Sequence, residues 1–449
     1  MSAETFLARL DRIPLNPFHR RLLAVTGVGW LFDAMDLLLI GFLLVPIRAE
    51  LGLDGARTGL VASAGFAGMA LGAAVFGRLA DRYGRRSVIQ ATLVLFGIGS
   101  LLSAVAPSFE VLIGARVIAG VGLGGELPVI PTLLAEFAPR DARGRYGVLL
   151  GSFWVLGAVT AGLLAVFMLP AIGWRGVLGL GALPALYVAY LRRALPESPR
   201  HLAEHGRTAE ADAIVRRVER EGGGALITVA RPVAPPRAAA ARIGDLVTGR
   251  YARRTALLWI LWSGLLLTYY GTFVLIPTLL VDRGLEADDG NRSFFISTLA
   301  QLPGYLTAAW LADRAGRRAT LTLFLIGMAA ATVGFGTVAS APAGSMTVPL
   351  LLCAAALSFF ALGAWGVAYV YAPELYPTAL RATGAGAAVA IGRLGALAGP
   401  LVLLGIAATA GPGAAFIGAA LVLILVAGAV FALAEETRGR SLEDLAPAR

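Results

Sequence analysis

Twelve apolar stretches of about 20 residues, each ended by charge or by Gly and Pro, follow one another along this chain. They fall near 22–47, 58–80, 88–106, 110–134, 146–170, 174–192, 255–281, 293–312, 319–340, 346–372, 382–410 and 412–434. At a rise of about 1.5 Å per residue such a stretch is about 30 Å long as a helix, the depth of a bilayer's hydrocarbon core. Lipid offers no partner to a backbone N–H or C=O, so a segment of this kind must satisfy its own polar groups as a helix. Only 15% of the residues are charged, 57% are hydrophobic, and the mean hydropathy is +0.76, whereas a soluble domain carries about 25% charged residues. The predicted fold class is an all-α membrane protein with twelve transmembrane helices.

The charges are distributed to match. All 38 basic residues are arginine and none is lysine, which excludes Schiff-base chemistry on a lysine and the phosphate-cradle motif that ends in Lys-Ser/Thr. ATP is therefore not the expected fuel, and no cofactor is expected. A formal charge of +10 would suggest nucleic acid in a soluble chain, but these arginines sit in short loops between apolar segments, where topology explains them and nucleic-acid binding is not expected. Arginine-rich loops (Arg78, Arg82, Arg85, Arg86; Arg140, Arg143, Arg145; Arg314, Arg317, Arg318), the N-terminus and the tail with Arg438 and Arg440 alternate with loops holding Glu50, Asp54, Glu110, Glu286, Asp288 and Asp289. That bias puts both termini in the cytoplasm, in a multi-pass plasma-membrane (inner-membrane) protein. The segment before the first span carries Arg9, Arg12, Arg20 and Arg21 and no cleavable leader is expected there. The lone Cys353 lies in an apolar stretch and His19, His201 and His205 lie outside all of them. An intramolecular disulfide, a multi-cysteine metal site and a histidine relay at bilayer depth are thus not expected.

A polar stretch divides the spans into two sets of six, giving 1–192 as an N-terminal bundle, 193–254 as a cytoplasmic linker with a short surface helix from Glu204 to Glu221 and an extended piece at 231–236, and 255–449 as a C-terminal bundle and tail. The halves repeat each other. Leu-Ala-Asp-Arg-Tyr-Gly-Arg-Arg at 79–86 returns as Leu-Ala-Asp-Arg-Ala-Gly-Arg-Arg at 311–318; Glu136, Pro139 and Arg143 return as Glu374, Pro377 and Arg381; and Glu197 is answered by Glu436. Two pseudo-symmetric six-helix bundles, with a site between them near the midplane, are the architecture such a parallel repeat predicts.

The stretch from Gly77 to Arg86 resembles the loop signature of the major facilitator superfamily in full, and the second copy departs from it only in placing Ala309 where the first has Gly77. The runs at Pro196–Arg200 and Glu436–Gly439 are similar to those of its sugar-porter and organic-ion-transporter branches. The strings Gly29–Asp36, Gly122–Pro128, Ala300–Tyr305 and Leu362–Val367 resemble those of bacterial niacin permeases, grouped with metabolite:proton symporters and similar to synaptic vesicle glycoproteins. The resemblance implies secondary active transport rather than enzymatic turnover: import of nicotinate, driven by protons with alternating access, by a chain acting as a monomer in the bilayer. A carrier of another small aromatic acid, such as benzoate, shares the same features. A receptor that does not transport would have no use for two gate motifs, and no nucleophile with its base appears at depth for a membrane enzyme.

Few ionisable residues fall inside the spans, and each needs a partner or a task. Asp33 and Asp36, three apart, share a helix face. Two such carboxylates cannot both ionise comfortably there, so one is expected to hold and exchange a proton, with Arg116 of span four as counter-charge; a permanent ion pair with Arg116 is the structural alternative. Glu126, after the glycine-dense run 120–125, is a second candidate for proton coupling. Arg393 in span eleven cannot shed its charge and must meet an anion, either a substrate's or a carboxylate such as Glu126 or Glu374; in the related animal carriers a basic residue in span eleven goes with anionic cargo. Trp365 and Tyr369 share a face of span ten. Trp154, one of Tyr269 and Tyr270, and Gln301 could complete the site, stacking a flat ring and donating to a ring nitrogen. The clusters Asp81, Arg85, Glu136 and Arg143, and Asp313, Arg317, Glu374 and Arg381, are expected to form gate ion pairs on the cytoplasmic side. No metal site is expected.

Overall fold

The computed structural model describes residues 6, 9–139, 142–222, 243–249, 251–282, 287–340, 347–376 and 378–438. The expected extended piece at 231–236, Pro377, Glu286, Arg140 and Arg440 lie outside the described residues, as do the side chains of Arg143, Arg145, Arg381 and Asp288.

Among the described residues, ten helices are long and apolar enough to cross a membrane. Spans one to four are Pro17–Leu51, Gly55–Tyr83, Arg85–Ala104 and Phe109–Phe137. Span seven is Tyr251–Asp282, and spans nine to twelve are Arg317–Ser340, Thr347–Glu374, Thr378–Ala410 and Pro412–Leu433. Span five, Arg143–Leu163, continues through one π-helical turn, Leu164–Met168, into Leu169–Leu180, where Gly173 at φ 66° lets the chain turn toward span six. Spans six and eight are not single helices. Span six is interrupted before Leu183–Ala194, whose second residue is Pro184, and span eight is split into Ala287–Thr298 and Gln301–Ala315. Pro184 and Pro303 fall in the first turns of the restarted helices, where a residue without an N–H is accommodated. The ten long helices, span five with its π-turn and bend among them, and these two interrupted ones correspond to the twelve expected spans. The helices show what a lipid solvent permits: Leu186 and Leu425 are among the large apolar side chains left facing outward.

Grouped by packing, the described residues form two compact units. The first takes residues from Met1–Leu38, Ala67–Ala161 and Arg175–Arg237, the second from Leu39–Phe66, Gly162–Trp174 and Ala238–Arg449. In the first, small residues let span four lie against its neighbours: a methyl at Gly122 would run into the Phe96 nitrogen, and one at Gly124 into the Met69 carbonyl. The expected surface helix is two helices rather than one, Pro199–Glu204 and Thr208–Glu221, because Gly206 turns the chain at φ 77° between them. Ala211, Val215 and Val218 bury the apolar stripe of the second helix, and Arg9 reaches its Glu219 at 2.7 and 2.8 Å. In the second unit, span eleven packs on span seven through Gly392, Gly395 and Gly399, where an added methyl would meet Trp262, the Ser263 carbonyl and the Leu267 carbonyl. The outer part of span one also belongs here, with Phe42 against Phe294 at 4.8 Å.

Candidate functional site

Two buried polar centres stand out, one in each unit. In the first unit the aspartates of span one part company. Arg116 donates from Nη1 to Asp36 Oδ1 at 3.0 Å and from Nη2 to Asp36 Oδ2 at 2.6 Å, a bidentate pair shut away from solvent. Asp33, one turn earlier, acts electrostatically on Glu126 instead. The Glu126 carboxyl is 0% exposed and neither oxygen accepts a hydrogen bond among the described residues. It reaches span one because Gly29, one turn before Asp33, has no side chain: a methyl there would sit 3.2 Å from Glu126 Oε2. Arg116 and Glu126 are ten residues apart on one helix, about 15 Å along its axis, so the four residues make two centres and not one. An ionised carboxylate without a donor or a cation costs several kcal/mol at this depth, whereas the neutral carboxyl does not. Glu126 is therefore the group here whose burial is compatible with carrying a proton, while Asp36 is already compensated.

The second unit gathers most of the predicted substrate residues around Arg393. Its guanidinium is 3% exposed, forms no ion pair among the described residues, and leaves Nε and Nη1 without an acceptor. Glu374, one of its expected carboxylate partners, is taken by Arg317 and by the Thr437 hydroxyl at 2.5 Å. Tyr270 and Tyr369 lie within electrostatic reach of the guanidinium, and the Tyr270 hydroxyl is set directly against it. Trp365 sits at the hub of the rings, 5.8 Å from Tyr269, 6.5 Å from Tyr270 and 5.4 Å from Tyr369. The expectation that one tyrosine of the adjacent pair points away gives way, since both rings reach Trp365; Phe66, 4.4 Å from Tyr270, fills the space beyond. Gln301 opens the second half of the broken span eight and donates from Nε2 to the Tyr269 hydroxyl at 3.5 Å, leaving its Oε1 unpaired. Tyr369 is 39% exposed while its neighbours in the cluster are buried, so the cluster is open at that ring. Trp154 is buried in the first unit. The sequence offers one further member of the cluster: Trp262, about two turns into the apolar part of span seven, crosses Tyr369 at 4.8 Å and Trp365 at 5.9 Å. Its signal was there, because 262, 269 and 270 are spaced by seven and eight residues and so lie on one helix face.

The charged clusters at the two loop motifs repeat between units. Arg85 reaches Asp81 at 3.0 Å and Glu136 at 3.5 Å; Arg317 reaches Asp313 at 3.5 Å and Glu374 at 3.2 Å. Gly84 at φ 94° and Gly316 at φ 93° turn the chain into the helix that follows, and the backbone N–H groups that start those helices donate to carboxylates. Arg85 N–H bonds Glu197 Oε1 at 2.8 Å, and Arg317 and Arg318 N–H bond Glu436 at 2.9 and 3.1 Å. Burial alone would push the Glu436 carboxyl up, yet the backbone N–H groups of Arg438, Arg317, Arg318 and Thr437 hold it below the ordinary range. Burial pushes the His201 imidazole down, with Arg85 and His205 working the same way against Glu197. Glu197 and Glu436 correspond by position in the repeat, and both cap a helix, a role that the position alone does not reveal.

Comparison with known proteins agrees with this architecture. Residues 47–448 match the family model described as sugar (and other) transporter. The chain is 41% identical over 442 residues to the niacin transporter NiaP of Acinetobacter baylyi, covering 98% of this chain and 99% of that one. It is 40% identical over 385 residues to the putative niacin/nicotinamide transporter NiaP of Bacillus subtilis, covering 86% and 88%. The structure of a D-xylose–proton symporter superposes with a TM-score of 0.73 at 20% identity, over 94% of this chain and 99% of that one, which speaks to the fold. These relatives are transporters and not enzymes, and the chain is a multi-pass membrane protein that belongs to the sugar (and other) transporter family of the major facilitator fold.

Proposed function

We propose that this protein imports nicotinate across the plasma membrane by proton symport with alternating access, its termini in the cytoplasm. The observation that carries the reading is Arg393: a permanent cation, 3% exposed, with Nε and Nη1 unpartnered and aromatic rings around it. A guanidinium cannot neutralise itself by losing a proton, so the cost of burying it falls to an anion that comes and goes. The surrounding Trp365, Tyr369, Tyr269 and Tyr270 supply flat apolar area for a ring attached to that anion, and Gln301 supplies an amide. Trp154 is a further candidate for stacking. The names of the two NiaP relatives support the same cargo.

In the first unit, Glu126 with Asp33 is the candidate for carrying the proton, and Asp36 with Arg116 is the fixed charge pair beside it. The ion pairs of Asp81, Arg85 and Glu136, and of Asp313, Arg317 and Glu374, serve as gate contacts, with Arg143 and Arg381 as their sequence partners. Purified protein in liposomes with an imposed pH gradient tests the whole: labelled nicotinate should accumulate with the gradient, and Arg393→Gln should weaken it by about 2–5 kcal/mol, roughly 30-fold or more in half-saturating concentration. Parental uptake by Arg393→Gln would overturn the anion clamp.

A further inference from the structure

The polar atoms left over around Arg393 are nearly all of one kind. Among the described residues, Arg393 Nε and Nη1 and the Trp262 indole Nε1 are buried donors without an acceptor, the Tyr270 hydroxyl lies against the guanidinium, and Gln301 Oε1 is the pure acceptor left over in this group. Guanidinium and indole nitrogens can donate and never accept. A buried donor with no partner costs about 1–3 kcal/mol, and two kinds of them in one aromatic cluster call for a ligand that brings acceptors at two places. Trp262 is 1% exposed and stands over Tyr369 at 90°, one ring away from Trp365. It is tied to Arg393 through the backbone: a methyl on Gly392, the preceding residue, would lie 3.1 Å from Trp262 Cβ. The guanidinium and the indole thus belong to one tight crossing of spans seven and eleven.

Resting on the reading of Arg393 as an anion clamp, we infer that Trp262 Nε1 donates to the ring nitrogen of the cargo, so that the site selects heteroaromatic acids whose polar atoms are all acceptors. Nicotinate at neutral pH is such a molecule, with two carboxylate oxygens for the arginine and a pyridine nitrogen held off by the ring. Benzoate keeps the carboxylate and lacks the second acceptor. Nicotinamide keeps the ring nitrogen but turns an NH2 toward a group that can only donate. Tyr270, beside the guanidinium, serves the carboxylate end and not the nitrogen.

Binding of nicotinate and benzoate to the full-length protein, by calorimetry or by competition with labelled uptake, tests this. Trp262→Phe keeps a ring and deletes the donor: nicotinate should weaken about 5- to 15-fold, the worth of one hydrogen bond, benzoate less than about twofold, and the preference between them should collapse. Tyr270→Phe should weaken both acids alike. In wild-type protein, isonicotinate and picolinate, which move the nitrogen around the ring, should bind as benzoate does; this arm needs no variant to fold. Equal losses of both acids in Trp262→Phe, no loss of either, a preference that collapses only in Tyr270→Phe, or isonicotinate binding as well as nicotinate would each overturn the assignment. Failure of the underlying reading looks different: both acids would be indifferent to Arg393→Gln.

Discussion

Removing Asp36 should be far more damaging than removing its partner, although the two make the same hydrogen bonds. Asp36→Asn leaves the Arg116 guanidinium buried, with the 3.0 and 2.6 Å contacts turned from charge-neutralising to merely polar. Breaking a buried pair from the acidic side costs about 3–5 kcal/mol because an uncompensated charge remains. With an unfolding entropy of about 2.1 cal/mol/K per residue, 449 residues give about 0.9 kcal/mol/K, so the midpoint of thermal unfolding should fall by about 3–5 °C. Arg116→Met orphans a carboxylate, which can take up a proton and become neutral, so its loss should be smaller and should shrink further on acidification. The double variant Asp36→Asn/Arg116→Met removes both charges and keeps the volume, and replacements of that kind are commonly neutral; its midpoint should return to within about 1–2 °C of wild type. Thermal unfolding of the four proteins in detergent, at pH 7.5 and pH 5.5, completes the cycle. A double variant as unstable as Asp36→Asn, or an Arg116→Met protein that suffers more than Asp36→Asn, would refute the view of this pair as a compensated charge.

Three other outcomes follow from the same geometry. Glu126→Gln, which fixes the unpartnered carboxyl in a neutral form, should abolish accumulation driven by a pH gradient while leaving exchange of internal for external nicotinate within about threefold; retained accumulation would take the proton off Glu126. Gly316→Ala places a methyl at φ 93° against Glu436, so the helix cap must shift; a loss of about 1–2 kcal/mol in stability is expected, and an unchanged unfolding midpoint would show the cap to be slack. If one proton accompanies one nicotinate, no net charge moves, and a potassium diffusion potential of either sign should leave accumulation unchanged; a second proton would add about 2.3 kcal/mol per 100 mV, roughly fiftyfold in accumulation.

How far the sequence could be read depended on the length scale of the interaction. The spans were legible because hydropathy is a local property summed over about 20 residues, but the restarts of spans six and eight at Pro184 and Pro303 were not, since other spans carry a proline without breaking. The split of the surface helix at Gly206 was not, since a single glycine in a charged stretch is as often tolerated as used. Pairing was harder. Asp33 and Asp36 lie on one face, but whether they answer each other or separate partners depends on where span four crosses, and that is set by Gly29 and the run Gly122–Gly125, which fix how near two backbones come. Trp262 was lost for a related reason. Spacing puts it on the face of Tyr269 and Tyr270, but its contact with Tyr369 and its close approach to span eleven at Gly392 are set by how the helices cross.

Two arginines at bilayer depth, Arg116 and Arg393, are indistinguishable in composition, hydropathy and residue type, yet they have opposite thermodynamic standing. Arg116 enters the folded protein with its counter-charge in the same chain, so its desolvation is compensated whether or not cargo is present. Arg393 has no carboxylate and two unpartnered nitrogens among the described residues, so the empty protein holds a cost that only an incoming anion relieves. Binding energy obtained in that way depends on the ligand's charge more than on its shape, and it disappears for a neutral analogue whatever the quality of ring stacking. It also means that cargo should stabilise the protein by RT ln(1 + [L]/Kd), and that Arg393→Gln should erase this protection while raising the stability of the empty form. A variant more stable without ligand and indifferent to it is the signature of a charge kept unpaired for a purpose, whereas a destabilised one would mean that Arg393 has a protein partner after all.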